Sequence, residues 1–423
     1  MRRLRDAVVR LRSRPLPEGT STRPRHFSLV DFGTDTVKAV VVRKERGGAR
    51  VLGCGFAPAE GHDLGGGRAE VVALAAATDG ALEAAEDQTE KLGPSKVVPD
   101  EALFCIPARL TRGECFTVRQ TRADPKTPIE AREMKSAWER VERLARERLP
   151  LLGDDDGSWK PLALTPGAKT VDGHQVSDPV GLKGSEISLS AFGVAVWPSA
   201  LRAAEAVAER LELGLVDVIA APQSLAGVVP QREAILLDVG AEGTCLHLIQ
   251  HDALLATFWW PQGGRYFTKH MAGAFRCSLD EAEALKRAYA DGALSEGDHD
   301  LVARSLVEPV AAWREALTAR LGRVAGEESA RPPADELLKA NQAGSLPGRL
   351  YLTGGGSLLP DLAGALGALE TMSGLSFRRS LEIEALGPRL GTRTPGQPAL
   401  LDVPPHPLSD LLAPAISLAT CLE

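Results

Sequence analysis

The chain of 423 residues has little from which a metal or redox centre could be built. Its six cysteines (Cys54, Cys105, Cys115, Cys245, Cys277 and Cys421) are scattered, without a CxxC pair or a Cys/His cluster of zinc-finger spacing. Such a pattern reads as free, buried thiols in a reducing compartment. Aromatic residues make up only 4% of the chain, so its cores must be built from Leu, Val and Ala. No run approaches the ~20 apolar residues that span a bilayer, and no apolar stretch of a secretory signal is present. Basic residues do not predominate either. A formal net charge of −7 removes the bulk electrostatic case for nucleic-acid binding, and no nucleic-acid partner is expected. The eight histidines are dispersed, and no Ser/His/Asp or Cys/His nucleophile arrangement can be assembled from them. His247 reads as a packed or solvent-facing strand residue. At 44% hydrophobic and 25% charged, the composition is that of a soluble globular protein, and the length suits two or more domains; with no span or signal, a cytoplasmic location is expected.

What the chain does have is three glycine-centred segments, each following an apolar run of strand character. Phe27–Val30 leads into Asp31-Phe32-Gly33-Thr34, with Lys38 beyond. Ala234–Leu237 leads into Asp238-Val239-Gly240-Ala241-Glu242-Gly243-Thr244, and Arg349–Leu352 into Thr353-Gly354-Gly355-Gly356-Ser357. A strand that runs into a tight Asp/Gly/Thr turn brings bare backbone N–H groups up to a phosphate. Three such turns in this order point to a two-lobed nucleotide clamp.

Around these anchors the periodicity predicts a β-meander over 27–59, a helix over 68–92, and an α+β module over 101–190. The module contains a charged amphipathic helix, 129–149, and a strand, 185–196. Helices are expected at 198–213, 222–228, 265–275, 279–289, 301–325 and 334–342, with paired strands 245–249 and 253–260 joined by a turn at 251–252. The acidic run 154–156 reads as a solvated loop, since its spacing lacks the Gly and terminal Glu of a calcium loop. Trp259 and Trp260 read as core or subunit interface. Residues 1–14 stand apart. Met1, Leu4, Val8 and Leu11 gather on one helical arc, and Arg3 and Arg10 lie among the arginines of the other. This is a basic amphipathic helix suited to an anionic membrane interface, with a disordered basic tail or a transit peptide as alternatives.

The chemistry such turns support is that of a phosphate site. Asp31 and Asp238 would hold Mg²⁺ against nucleotide phosphates, directly or through water. Asp238 is also the candidate catalytic carboxylate, with Gln223 as a second candidate for orienting an attacking water. Gly33, Thr34, Gly240, Gly243 and Thr244 offer backbone and hydroxyl donors to phosphate. Lys38 would face a phosphate or simply end a strand. Gly354, Gly355 and Gly356, with Ser357, would let a flat adenine and ribose rest on the backbone. Glu283 and Lys286, three apart on one helix face, would reach ribose and adenine from the other lobe.

The order and wording of these segments resemble the actin/Hsp70-type ATPase superfamily, and within it the FtsA family of bacterial cell division. Asp31–Val40 is similar to its phosphate-1 strand pair. Thr170-Val171-Asp172-Gly173 with Asp178–Gly184 is similar to a signature of its inserted SHS2 subdomain. Pro261–Gly264 with Leu279–Lys286 resembles the segment after phosphate-2, and Leu352–Pro360 resembles the adenosine motif. The resemblance implies an α/β fold: an actin-like two-lobed ATPase of duplicated RNase H-like domains with an inserted SHS2-type α+β subdomain. The division it implies is 1–26 N-terminal helix and linker, 27–100 lobe I, 101–190 insert, 191–235 lobe I continued, 236–388 lobe II, and 389–423 a C-terminal return to lobe I. It implies ATP and Mg²⁺ as ligands, with weak or no turnover. Its implied partners are an FtsZ-like division protein, other copies of the chain in dimers or filaments, and the inner face of the cell membrane.

Departures from the family pattern bear on phosphate-2. The usual wording is Asp-x-Gly-Gly-Gly-Thr-Thr-Asp. Here Ala241 and Glu242 replace glycines, Gly243 a threonine, and Cys245 the last aspartate. A glutamate pointing inward would repel a terminal phosphate. The wording is closer to PilM, a relative of FtsA in type IV pili, which keeps a pilus or secretion scaffold as the alternative. An active ATPase or sugar-kinase-like enzyme of the same superfold is a further one. The amphipathic anchor that FtsA carries at its C-terminus is expected here at residues 1–14.

Overall fold

The computed structural model describes residues 25–386, except 46–47, 60–61, 63, 92–94, 153–158, 230, 251–252 and 326–344. The basic helix expected at 1–14, with Met1, Arg3, Leu4, Val8, Arg10 and Leu11, lies outside the described residues. So do the acidic run 154–156, the turn 251–252, the helix expected at 334–342 and the segment 389–423.

Two sheets share one strand order. The first joins β1 (His26–Phe32), β2 (Thr36–Glu45), β3 (Gly48–Pro58), β4 (Glu101–Ile106) and β9 (Gly214–Ala220) in the order β3-β2-β1-β4-β9. The second joins β10 (Ala234–Val239), β11 (Thr244–Gln250), β12 (Ala253–Trp260), β14 (Arg349–Thr353) and β16 (Glu382–Ala385) in the order β12-β11-β10-β14-β16. In each, an antiparallel three-strand meander is extended by two parallel strands. This repetition is the duplicated architecture of an actin-like two-lobed protein. Between β4 and β9 the chain builds a separate sheet in the order β5-β8-β6-β7, from β5 (Thr111–Thr121), β6 (Lys160–Val171), β7 (His174–Gln175) and β8 (Glu186–Val196). A two-residue parallel pair, β13 (Ser345–Leu346) and β15 (Ser376–Phe377), completes the strands.

Alternation along the strands decides which side chains face where. In β1, Phe27 and Leu29 enter a cluster shared by both lobes, while Val30 and Phe32 enter the outer core of lobe I. In β10, Ala234 and Leu236 enter the shared cluster, while Ile235, Leu237 and Val239 enter the outer core of lobe II. The shared cluster is completed by Phe192 and Val194 of the insert and by Leu225 and Ala226 of a helix between the lobes.

Seven helices of the described residues follow the sequence pattern, and two short ones after the third glycine segment are additional. In chain order the helices are α1 (Arg68–Thr89), α2 (Ala131–Arg148), α3 (Pro198–Arg210), α4 (Ala221–Val228), α5 (Gly264–Phe275), α6 (Leu279–Ala290), α7 (Glu296–Ala325), α8 (Pro360–Gly367) and α9 (Leu369–Met372). α6 begins with a reciprocal capping box between Ser278 and Glu281.

The expected limits of the insert need correction. The strand 101–106 pairs in parallel with β1, so it belongs to the lobe I sheet and the insert starts after it. At the other end, residue 190 falls inside β8, which runs on to Val196. The insert's own order is strand, helix, then three strands: β5, α2, β6, β7 and β8.

α1 lies so close on β3 that the strand needs glycine there. A Cβ on Gly55 would collide with the carbonyl oxygen of Ala81, and one on Gly53 with that of Ala85. Gly55→Val is therefore expected to destabilise the protein by roughly 1–3 kcal/mol, the usual range for overpacking. The check is a urea titration: the midpoint should fall while the slope is unchanged.

Candidate functional site

The same alternation that builds the shared cluster carries charge to its end. Asp31 follows Phe27 and Leu29 on the inner face of β1, and Asp238 follows Ala234 and Leu236 on the inner face of β10. Both therefore emerge at the carboxyl ends of central strands, between the two sheets, which is where open α/β sheets bind ligands. Here they floor a cavity of about 350 Å³, of a size that takes a small molecule.

Lys38 is register partner to Asp31 across the β1–β2 pair, and its Nζ donates to Asp31 Oδ2 at 2.6 Å. Burial works against its ammonium, but Asp31 and Asp238 outweigh burial and hold its pKa above the usual value. Asp238 shows the opposite balance. Burial pushes its carboxyl up to about 6, with Lys38 pulling down and Asp31 pushing up. The site thus joins one buried cation to two carboxylates, one of which ionises reluctantly.

Two hairpin tips and a glycine turn form the walls. Gly33, Thr34 and Asp35 come from the β1–β2 tip, and Gly240, Ala241, Glu242 and Gly243 from the β10–β11 tip. Gly354 has φ +85°, and a Cβ there would collide with Asp238 Oδ1, so only glycine lets the third turn close over the aspartate. Gly355 and Gly356 line the same wall. Beside the first turn of α5, Glu283 Oε2 accepts from Thr268 Oγ1 at 2.6 Å and from Lys286 Nζ at 2.7 Å. Burial raises the Glu283 pKa, but these donors outweigh it and hold the carboxyl below its usual value.

Most of the residues expected from sequence meet in this cleft: Asp31, Gly33, Thr34, Lys38, Asp238, Gly240, Gly243, Glu283, Lys286, Gly354, Gly355 and Gly356. Three do not. Gln223 turns to the insert, its Nε2 donating to Thr165 Oγ1 at 2.7 Å, so it is not placed to orient a water. Thr244 is fully buried; its hydroxyl donates to the Gln262 carbonyl at 2.6 Å and accepts from Trp313 Nε1 at 2.9 Å. Ser357 donates to the Gly354 carbonyl at 2.7 Å and stabilises the turn itself.

The placing of α6 also differs from expectation. It packs in the outer core of lobe II, as does Leu352 before the glycine turn, so Glu283 and Lys286 face that turn from the same lobe. Trp260 is core, as expected, but Trp259 lines the cleft. His247 is fully buried, with Nδ1 3.1 Å from Thr257 Oγ1, and burial lowers its pKa to about 3. The five described cysteines are free.

Arg265 is the residue that pattern reading missed. Its guanidinium donates to Asp35 Oδ1 of lobe I at 2.5 Å and to Glu242 Oε1 of lobe II at 2.6 Å. A signal did exist. Arginine in the first turn of a helix opposes the helix dipole, and a basic residue directly after Gly263-Gly264 calls for a local anion.

The donor set fits a magnesium nucleotide. Among the described residues no group of three or more His, Cys, Asp or Glu side chains could hold a metal alone. Asp31 and Asp238 would supply a part of the coordination of a Mg²⁺ ion, which commonly takes the rest from phosphate and water.

The fold is the actin-like two-lobed one, with an inserted α+β module. The chain is similar to cell division protein FtsA of Enterococcus faecalis, 26% identical over 354 residues, which span 79% of this chain and 74% of that protein. Cell division protein FtsA of Streptococcus pneumoniae serotype 2 is 25% identical over 353 residues, covering 80% of this chain and 72% of that protein. Among solved structures, the PilM-PilN type IV pilus biogenesis complex contains a chain that superposes with a TM-score of 0.60 at 18% identity, covering 93% of this chain and 98% of that one. No protein-family model matches the chain.

A carboxyl whose folded pKa lies near 6, against a usual 3.8, keeps a proton that the unfolded chain has released. Stability contributed by this group therefore falls as pH rises from about 4 to about 6, and the full penalty stands above that. Asp238→Asn is expected to stabilise the nucleotide-free protein at pH 7.5 by on the order of 3 kcal/mol and to change little at pH 4. Urea midpoints of the two proteins at the two pH values check this. An equal shift at both pH values would contradict it.

Proposed function

We propose that the chain is a cell-division adaptor. It binds ATP with Mg²⁺ in the cleft, lies on the inner face of the cytoplasmic membrane, and recruits an FtsZ-like division protein there. The observation that carries this reading is the convergence of two equivalent hairpin tips and a glycine turn on one cleft, in a chain similar to FtsA over 79% of its length.

In this reading Gly33, Thr34, Gly240 and Gly243 present backbone to the phosphates and Lys38 neutralises them. Asp31 and Asp238 hold the Mg²⁺. The adenosine lies between Gly354–Gly356 and the Glu283–Lys286 face. The insert is the SHS2-type module. Nucleotide acts as a structural and polymerisation ligand, favouring dimers or filaments, with slow turnover. A ligand that touches both lobes binds only the folded chain and stabilises it. No helix among the described residues is long and apolar enough to cross a membrane. Attachment would be peripheral, through residues 1–14.

A second reading is a cytoplasmic scaffold of a type IV pilus or secretion system, supported by the superposition on nearly the whole PilM-PilN complex chain.

Two measurements test these readings. A fluorescent fusion at native level in its own host is expected to form a band at mid-cell before constriction; foci confined to pilus or secretion sites would favour the second. The full chain is expected to sediment with vesicles containing phosphatidylglycerol, and a chain without residues 1–14 to remain in the supernatant. Equal sedimentation of both would sink the proposed anchor.

A further inference from the structure

The Arg265 bridge answers the question that Glu242 raises in the phosphate loop. The Glu242 carboxylate is neutralised by Arg265, and the same guanidinium reaches across to Asp35 on the opposite lobe, 230 positions away in sequence. Asp35 and Glu242 are the outer residues of the two hairpin tips and both line the cleft. Arg265 therefore ties the two hairpin tips together across the lobes.

Backbone hydrogen bonds pin Asp35, Arg265 and the loop that leads into Glu242. The Asp35 carbonyl accepts from Ala59 N at 2.9 Å, Arg265 N donates to the Ala241 carbonyl at 2.9 Å, and Gly264 N donates to the Gly240 carbonyl at 2.9 Å. What can change is side-chain rotamers. The three side chains are about one-third to two-fifths exposed, so these ion pairs are partly solvated and each is worth little. A phosphate offers the guanidinium fork a more highly charged partner with more acceptor oxygens than a carboxylate. A third phosphate entering here would otherwise meet two carboxylates against one arginine, a net repulsion.

We propose that Arg265 is the residue by which this chain distinguishes a nucleoside triphosphate from a diphosphate. Its guanidinium exchanges the Asp35 carboxylate for the terminal phosphate, while Glu242, which lines the cleft, holds it at the β10–β11 tip. A diphosphate leaves the Asp35–Arg265 pair intact. The inference rests on the nucleotide reading of the cleft.

Calorimetric titration of the full chain with Mg·ATP and, separately, Mg·ADP tests it. Arg265→Ala is expected to weaken ATP binding about tenfold or more, the worth of a charged hydrogen bond, and ADP binding by less than about threefold. Asp35→Asn, which removes the competing carboxylate, is expected to strengthen ATP binding and leave ADP binding unchanged. Arg265→Lys, a point charge without the fork, should fall between wild type and Ala. Thermal melts confirm that each variant is folded, and Asp35→Asn decides if Arg265→Ala is not. Equal effects on both nucleotides, or none on either, would overturn this inference alone. If the unmodified chain binds neither nucleotide, the reading of the cleft fails and the inference falls with it.

Discussion

Everything at the cleft depends on a single apolar cluster that lies between the two sheets. Phe27, Leu29, Val40 and Val42 from one sheet and Leu236, Ile249 and Tyr351 from the other meet there around Leu225 and Ala226 of α4. Burial of this area sets the spacing of the lobes. It is also why two carboxylates and an ammonium sit where they do. They occupy the next inner positions on the same strands, so they inherit the geometry of the core but are deprived of its chemistry. Burial raises Asp238, and Lys38 offsets part of that penalty. A divalent cation would enter a field of two carboxylates that a single ammonium offsets only in part.

Much of this was legible in the sequence, for a local reason. Period-two alternation in Phe27–Phe32 and Ala234–Val239, ended by Asp and Gly, determines both the strand and the direction of its last carboxylate. The glycine turn after Thr353 is equally local, since only glycine tolerates the φ found at residue 354. What was not legible depends on distant partners. Thr244 follows a phosphate loop and has the right chemistry, yet Trp313, 69 positions away, claims its hydroxyl. Gln223 is claimed by Thr165 of the insert, 58 positions away. The strand 101–106 reads as part of the insert because a parallel partner is not adjacent in sequence, whereas its pairing with β1 places it in lobe I.

The site also shows how a departure from a family pattern can be absorbed. Glu242 looks disruptive when only its own loop is read. In three dimensions it is one member of a trio with Arg265 and Asp35, in which each charge has a partner of opposite sign. Judging a substitution in a phosphate loop thus requires the helix that packs behind it, here through Gly263, where a Cβ would collide with the Gly240 carbonyl.

Strand β8 has a mechanical consequence. Along its length Ile187 packs at the insert's outer end, Leu189, Ala191 and Ala195 in the insert core, Phe192 and Val194 in the shared cluster, and Val196 in lobe I. Its 11 residues make a rod of about 36 Å at ~3.3 Å per residue. Clamped at one end between the lobes, such a rod is a lever. A rotation of about 10° at the clamp would carry the free end roughly 6 Å, by the length of that rod. A protein seated on the outer end of the insert would experience lobe movement as displacement, without contact with the cleft.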